Sequence, residues 1–341
     1  MPDLATLSAA AILVSLVIYA LTGGADFGGG AWDLLAWGAR RREQKLLVAH
    51  AIGPIWETNH IWLVIAVVVL FTAFPRAFAA LSTALFVPLS LVLAGIVLRG
   101  AAFAFHAYHL ESEERRSRWG TLFAGASLAT PLFLGIAAGA AVSGSVPALT
   151  DRGPAPIEAW LAPFPLAVGL FALSLFCYLA AVYLVLETTD PGLRSDFRTR
   201  AVWSARVVAL LAVAVALLAG RGAPAFREAL LESPWSTPVM ICAAATAIGA
   251  YTALHLHVDP LARSCAAAQV AFIVLGWGLA QNPFLVRPDL TIAAAAAPPS
   301  TLRPLLAALL AGAVVLFPAI FVLLRTFKRE ALFAGSPRRK D

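Results

Sequence analysis

Long apolar runs separated by short polar punctuation dominate the chain. A helix needs about 20 mostly apolar residues to cross a hydrocarbon core. Nine stretches meet that length: residues 7–35, 46–74, 77–106, 120–143, 163–186, 201–220, 237–256, 261–281 and 304–327. The predicted fold class is therefore all-α, a polytopic membrane protein of about nine transmembrane helices, with residues 1–341 as a single integral membrane domain. The order of spans suggests two four-helix bundles plus one peripheral helix, without a sequence repeat to accompany it. Phe74-Pro75-Arg76 is the tightest junction, where proline and a charge mark a short turn. The first basic residue is Arg40, so no positive segment precedes the first run, which is expected to stay as a span and not to be cleaved as a signal peptide. Pro298-Pro299 stops the alanine-rich segment from Ile292 to Ser300 reading as one helix. That segment is predicted to be an outer loop lying on the surface.

Composition agrees with lipid as the main solvent. The chain is 60% hydrophobic and only 13% charged, with mean hydropathy +0.83, whereas a soluble domain keeps roughly a quarter of its residues charged. A net charge of +6 would suit an anionic partner such as nucleic acid, but the placement of the charges excludes that reading. Splitting the loops by parity puts 18 Lys and Arg residues on one side and six on the other, with Arg99 inside a span. Such an excess marks the cytoplasmic side, so the N-terminus is predicted outside and the C-terminus in the cytoplasm. Cys177, Cys242 and Cys265 are far apart and have no metal-ligand or redox spacing. They read as small buried side chains.

Candidate chemistry is confined to the first third of the chain. Of 19 acids, only Asp26, Asp33 and Glu57 lie within spans, and His50, His60, His106 and Arg99 belong to the same first three helices. Ionisable groups inside a bilayer are costly and mark functional sites by default. Asp26 and Asp33 are seven residues apart and share a helical face, which Thr22 and Tyr19 continue. His50, Glu57 and His60 line one face of the second span. At a rise of 1.5 Å per residue, Asp26 and Glu57 both come to roughly 15–17 Å from the cytoplasmic helix ends. The pattern reads as a polar ladder from the cytoplasm to the membrane middle, suited to carrying protons. The competing reading is a buried hydrogen-bonded cluster that fixes helix packing, with Arg99 as counter-ion. The glycine-rich run Gly23–Gly30 lacks the lysine of a phosphate loop and is better explained by close helix approach. His60 is deep enough to be considered as a haem ligand, while His255 and His257 splay apart on a helix and do not form a metal pair.

At these residues a family resemblance emerges. Gly53-Pro54-Ile55-Trp56-Glu57-Thr58-Asn59-His60-Ile61-Trp62, followed by Leu70-Phe71-Thr72-Ala73-Phe74-Pro75, resembles the signature of subunit II of the cytochrome bd quinol oxidases. Gly24-Ala25-Asp26-Phe27-Gly28-Gly29-Gly30 is similar to the first-helix motif of that family, and Leu98-Arg99-Gly100-Ala101-Ala102-Phe103 to the end of its third helix. Leu186-Glu187-Thr188-Thr189-Asp190 and Pro283-Phe284-Leu285-Val286-Arg287-Pro288 extend the likeness over nearly the whole chain.

The resemblance implies a two-subunit core in the bacterial cytoplasmic membrane, in which subunit I carries haems b and d and the quinol site. This chain would hold no haem or metal and no catalytic residue, would stabilise subunit I, and would help deliver cytoplasmic protons for the reduction of oxygen by quinol. Glu57, Asp26, Asp33, His60 and His50 are the proton-pathway candidates, and Arg99, Trp56, Asn59 and Trp62 the structural or counter-charge ones. Membrane lipids, small extra subunits and a bound quinone or lipid are compatible partners; nucleic acid is not. The sequence departs from the family pattern at Glu57, where Asp is common, at His60 for Glu or Gln, at Gly23 for a further Asp, at His106 for Arg, and at Ala104 for an acid. Two rival readings are a proton-coupled secondary transporter, which midplane acids and two halves would suit, and a non-catalytic scaffold of a divergent redox complex.

Overall fold

The computed structural model describes residues 3–52, 56–108, 113–146 and 156–334, without the side chains of residues 52, 56–58, 104, 106–108, 113–117 and 323–334. In chain order the elements are α1 (Leu4–Leu34), α2 (Arg41–Ile52), α3 (Trp56–Ala73), α4 (Pro75–Ala84), α5 (Phe86–Tyr108), α6 (Glu113–Ser143) and α7 (Ile157–Trp160). They continue with α8 (Pro163–Leu186), α9 (Pro191–Gly222), α10 (Pro224–Glu232), α11 (Ser236–His255) and α12 (Asp259–Gln281). A small hairpin, β1 (Phe284–Val286) and β2 (Leu290–Thr291), leads to α13 (Ile292–Ala295) and α14 (Pro299–Ala334). Helix starts follow from local chemistry. Asp3 caps α1 through the Thr6 amide at 2.6 Å, and Asp190 caps α9 through the Leu193 amide at 2.7 Å. Pro75, Pro163, Pro191 and Pro224 stand at first helical positions, where the missing N–H is no loss.

Among the described residues eight helices are long and apolar enough to span a membrane, or nine if the bent pair Asn59–Ala73 and Pro75–Ala84 counts as one. Two predicted spans are corrected. The stretch 46–74 is divided between α2 and α3; Gly53, Pro54 and Ile55, which separate them, lie outside the described residues. The stretch 77–106 is not one helix either. α4 turns by 118° from α3 at Phe74-Pro75, and α5 begins anew at Phe86. Pro88 supplies the reason for the second break: it has no N–H to offer the Ala84 carbonyl, and its ring would crowd that carbonyl in a continuous helix.

α1 is the central post, packed against α3, α6, α8, α12 and α14, while α5 pairs with α6, α8 with α9, and α11 with α12. One apolar cluster, including Tyr19, Phe27, Trp62, Phe176 and Leu179, surrounds α1 and α8. A second closes the end nearer the α3–α4 turn, with Val69, Phe74, Ile136 and Trp160. The connection between α12 and α14 forms a small hairpin within a fold that stays mostly helical, and the segment from Ile292 to Ser300 is largely exposed, with Ala295 buried. The hairpin pairs Phe284 with Thr291 and Val286 with Leu290, and Val286, Leu290 and Ala295 are buried in this second cluster. The Ala297 amide donates to the Ala73 carbonyl at 2.8 Å. The hairpin is a folded cap because its apolar side chains, unlike those of a polar loop, gain from burial against α4 and α7. Arg287 anchors it, donating from Nε to Gln281 Oε1 at 3.1 Å and from Nη2 to the Ala280 carbonyl. Burial pulls its guanidinium below the ordinary arginine value.

Candidate polar site in the membrane core

The site is built where α1, α3, α5 and α6 meet. Asp26 lies in the glycine-rich part of α1 and is fully buried, as is Arg99 of α5. Arg99 grips the carboxylate with both terminal nitrogens: Nη1 donates to Asp26 Oδ2 at 2.8 Å, and Nη2 donates to Oδ1. Nη2 also donates to the Asp26 carbonyl at 3.2 Å. Arg99 Nε donates to Ser127 Oγ of α6 at 2.9 Å, and the Ser127 hydroxyl passes on to the Phe123 carbonyl at 2.7 Å. From α3, Asn59 Nδ2 donates to Asp26 Oδ2 at 3.1 Å. The rings of Phe27 and Phe123 sit 4.8 and 4.7 Å from the guanidinium carbon, where their faces attract a cation. The pair is therefore neutral as a unit, fork-matched and hydrogen-bonded, as a buried ion pair must be to persist.

Two glycines make the convergence possible. A Cβ at Gly28 would run into the carbonyl oxygen of Phe176, so α1 and α8 touch backbone to backbone there. A Cβ at Gly23 would stand 3.0 Å from Asn59 Oδ1. A larger side chain at Gly23 would therefore push on the residue that orients Asp26.

Three polar atoms near this pair have no hydrogen-bond partner among the described protein atoms: Tyr19 Oη, Asn59 Oδ1 and His60 Nδ1. Tyr19 is seven residues before Asp26 on α1, and the His60 ring lies 6.1 Å from that of Phe27. Buried polar groups seldom stay unpaired, and ordered water is their usual partner in such a pocket. These three atoms form a polar patch beside a fixed ion pair in the apolar core.

The other predicted residues fall elsewhere. Asp33 pairs with Lys45 of α2 at 3.1 Å, half-buried at the helix end, and His50 is exposed on α2. Glu57 and Trp56 belong to α3, but their side chains lie outside the described set, as do those of Ala104 and His106. Trp62 is buried and packs on Phe317 of α14 with ring centroids 5.9 Å apart. Sequence reasoning missed Ser127 and Phe123. A lone serine in an apolar helix is a faint signal, and Phe123 carries none until its ring is seen against Arg99.

Comparison with known proteins places this arrangement. The family model of cytochrome bd terminal oxidase subunit II matches residues 4–327. The chain is 32% identical over 216 residues to the cytochrome bd-I ubiquinol oxidase subunit 2 of Escherichia coli K12, which covers 61% of this chain and 54% of the relative, so it spans about half the length of the first relatives it matches. A Bacillus subtilis relative is 24% identical over 332 residues, 92% of each chain. The fold is similar to a chain of the bd oxidase from Geobacillus thermodenitrificans, with TM-score 0.81 at 22% identity, covering 96% of this chain and 99% of that one. The chain belongs to the cytochrome bd terminal oxidase subunit II family.

Proposed function

We propose that this chain is the second subunit of a quinol-oxidising, oxygen-reducing membrane complex, where it stabilises a haem-bearing subunit I and helps bring cytoplasmic protons toward it. The observation that carries the reading is the buried Asp26–Arg99 pair beside three unpartnered polar atoms, in a chain whose family match runs almost end to end. Quinol and oxygen are the substrates of the whole complex, and haems on subunit I would supply the redox chemistry. The N-terminus faces outward and the basic loops face the cytoplasm in this reading, since 18 of the 25 basic residues fall on that side.

Within the proton path the residues divide their work. Asp26 and Arg99 compensate each other, so their role is to hold Asn59 and fix the local field. Glu57 is the proton-exchanging group in this reading: it is one of the three acids of the first two spans and stands two residues before Asn59. His60 and Tyr19 bound the path on α3 and α1, while Asp33 with Lys45, and His50 beyond, mark its entrance.

The test is Glu57→Gln in the assembled complex. It keeps shape and most hydrogen bonding but removes proton exchange. Haem content should be unchanged while quinol-driven oxygen uptake falls about tenfold or more, in the range of a lost proton-transfer group. Glu57→Asp should retain most of the uptake. Unchanged uptake in Glu57→Gln, with failure of Glu57→Ala to assemble, would assign Glu57 to packing instead.

A further inference from the structure

A second polar site lies at the basic end of the molecule, away from the Asp26 cluster. Where α1 ends and α9 passes α2, a cavity of about 440 Å³ is lined by Trp32, Trp37, Arg40, Thr199, Arg200 and Trp203 among others. Arg200 is the unusual member. It is only 5% exposed, yet among the described residues no carboxylate stands within ion-pair distance of it. Its Nη2 donates to Gln44 Oε1 at 2.8 Å and to the Leu35 carbonyl at 3.3 Å, and its Nη1 has no partner. Asp196, one turn before it, is already engaged: Arg40 donates to it from Nε at 2.9 Å and from Nη2 at 2.6 Å, and Gln44 Nε2 donates at 2.9 Å. The guanidinium of Arg200 is faced by the rings of Trp32, Trp37 and Phe197, 4.9–5.3 Å away. Among the charged groups that line the cavity, Arg40, Asp196 and Arg200, one positive charge is left over, with Asp190 and Glu43 farther out beside Arg40.

What lies beside the cavity points to the shape of its ligand. Trp203 is 60% exposed, and the same face of α9 continues through Leu210 and Leu217, at 69% and 75%. Steps of seven keep these side chains on one face, so an apolar track runs along the membrane span from Trp203, on whose ring the Arg206 guanidinium lies at 4.9 Å. Across Trp203 and Thr199 a smaller cavity of about 230 Å³ is lined by Arg206 and by Arg198, which is paired with Asp259. Tryptophan belongs to the membrane–water interface, and basic pockets between spans suit anionic headgroups.

We propose that this cavity binds an anionic phospholipid, with the phosphodiester set between Arg40 and Arg200 and an acyl chain along Trp203, Leu210 and Leu217. The phosphate compensates the leftover charge, and the indole of Trp203 covers the glycerol region. The site neighbours the Asp33–Lys45 pair through Trp32 and Gln44, but its assignment rests on neither the proton path nor the redox partner.

The test uses the purified complex, delipidated in detergent and titrated with dioleoyl-phosphatidylglycerol, dioleoyl-phosphatidylcholine or inorganic phosphate, with bound lipid counted by native mass spectrometry. One phosphatidylglycerol should be retained at concentrations where phosphatidylcholine is not, and inorganic phosphate should not displace it. Arg40→Gln and Arg200→Gln should each weaken retention by about fivefold, as expected for one basic side chain at a lipid surface. Trp203→Ala should weaken it as well. Arg40 and Trp203 are exposed, so their variants test the site even if Arg200→Gln does not fold. Equal binding of the two lipids, displacement by inorganic phosphate, or unchanged retention in both Arg40→Gln and Trp203→Ala would overturn the assignment.

Discussion

Asp26 and Arg99 are each meaningful only through the other. Removing one leaves a buried charge without its partner, which costs about 3–5 kcal/mol where both are desolvated. Asp26→Asn should therefore lower the amount and thermal stability of assembled protein and not merely slow turnover. The paired change Asp26→Asn with Arg99→Met should recover part of the stability, because the stranded charge is gone. Melting temperatures of the two variants in detergent check this. A single variant as stable as the parent would show that the pair contributes nothing to the fold. The sequence identified these residues by their rarity in apolar spans and by motif, and it offered Arg99 as a counter-ion only as one of two readings. It also put Asp26 and Asp33 on one stripe. They share a face but are roughly 10 Å apart along the axis at 1.5 Å per residue, and each takes a different partner, Arg99 or Lys45. Partner choice is a tertiary fact, set by which helix lies alongside, and local spacing does not contain it.

Among the elements, α1 depends most on close approach. The backbone contact of Gly28 with Phe176 on α8 cannot yield, because its far side is a carbonyl and not the tip of a flexible side chain. Gly28→Val should cost at least about 1–3 kcal/mol, the range for overpacking, and should sharply reduce folded protein. Gly125→Ala in α6, where an added Cβ meets nothing within 4 Å, should be neutral or slightly stabilising. Fluorescence-detected size exclusion of the two variants separates these outcomes. Helix existence was legible in the apolar runs, closely so for α1, α8, α11 and α12, whereas α6, α9 and α14 run on beyond the apolar stretch into polar residues. Helix breaks were less so. Phe74-Pro75 announced one turn, whereas Pro88 hides inside an apolar run and its effect at Leu85 shows only as a lost hydrogen bond to Ala84. The hairpin was not legible as strand, because Phe284–Thr291 is short and carries Pro288; its apolar residues Val286 and Leu290 find their burial only once α4 has turned over.

At the scale of the whole molecule, much of the apolar surface has no cover within the chain. α14 is largely exposed over its described apolar stretch, with Leu302 buried near its start and Phe317 against Trp62, and α9 and α11 are mostly exposed too, as spans facing lipid or a partner should be. At the basic end, Arg198 joins α9 to α12 through Asp259 at 2.8 Å, and Arg40 joins the α1–α2 turn to α9 through Asp196. These pairs are partly solvated and stabilise little individually, so they set register more than stability. Family membership was legible in the motif around Asn59, and a partner subunit only through that resemblance, because a partner leaves no mark on a single sequence beyond exposed apolar faces. Purification through a tag on the chain tests directly whether it works as part of a quinol oxidase. The purified complex is expected to contain a second, haem-bearing subunit, to show a haem b and d reduced-minus-oxidised difference spectrum, and to consume oxygen when given quinol. A chain that purifies without a haem protein and supports no quinol-driven oxygen uptake would contradict the account.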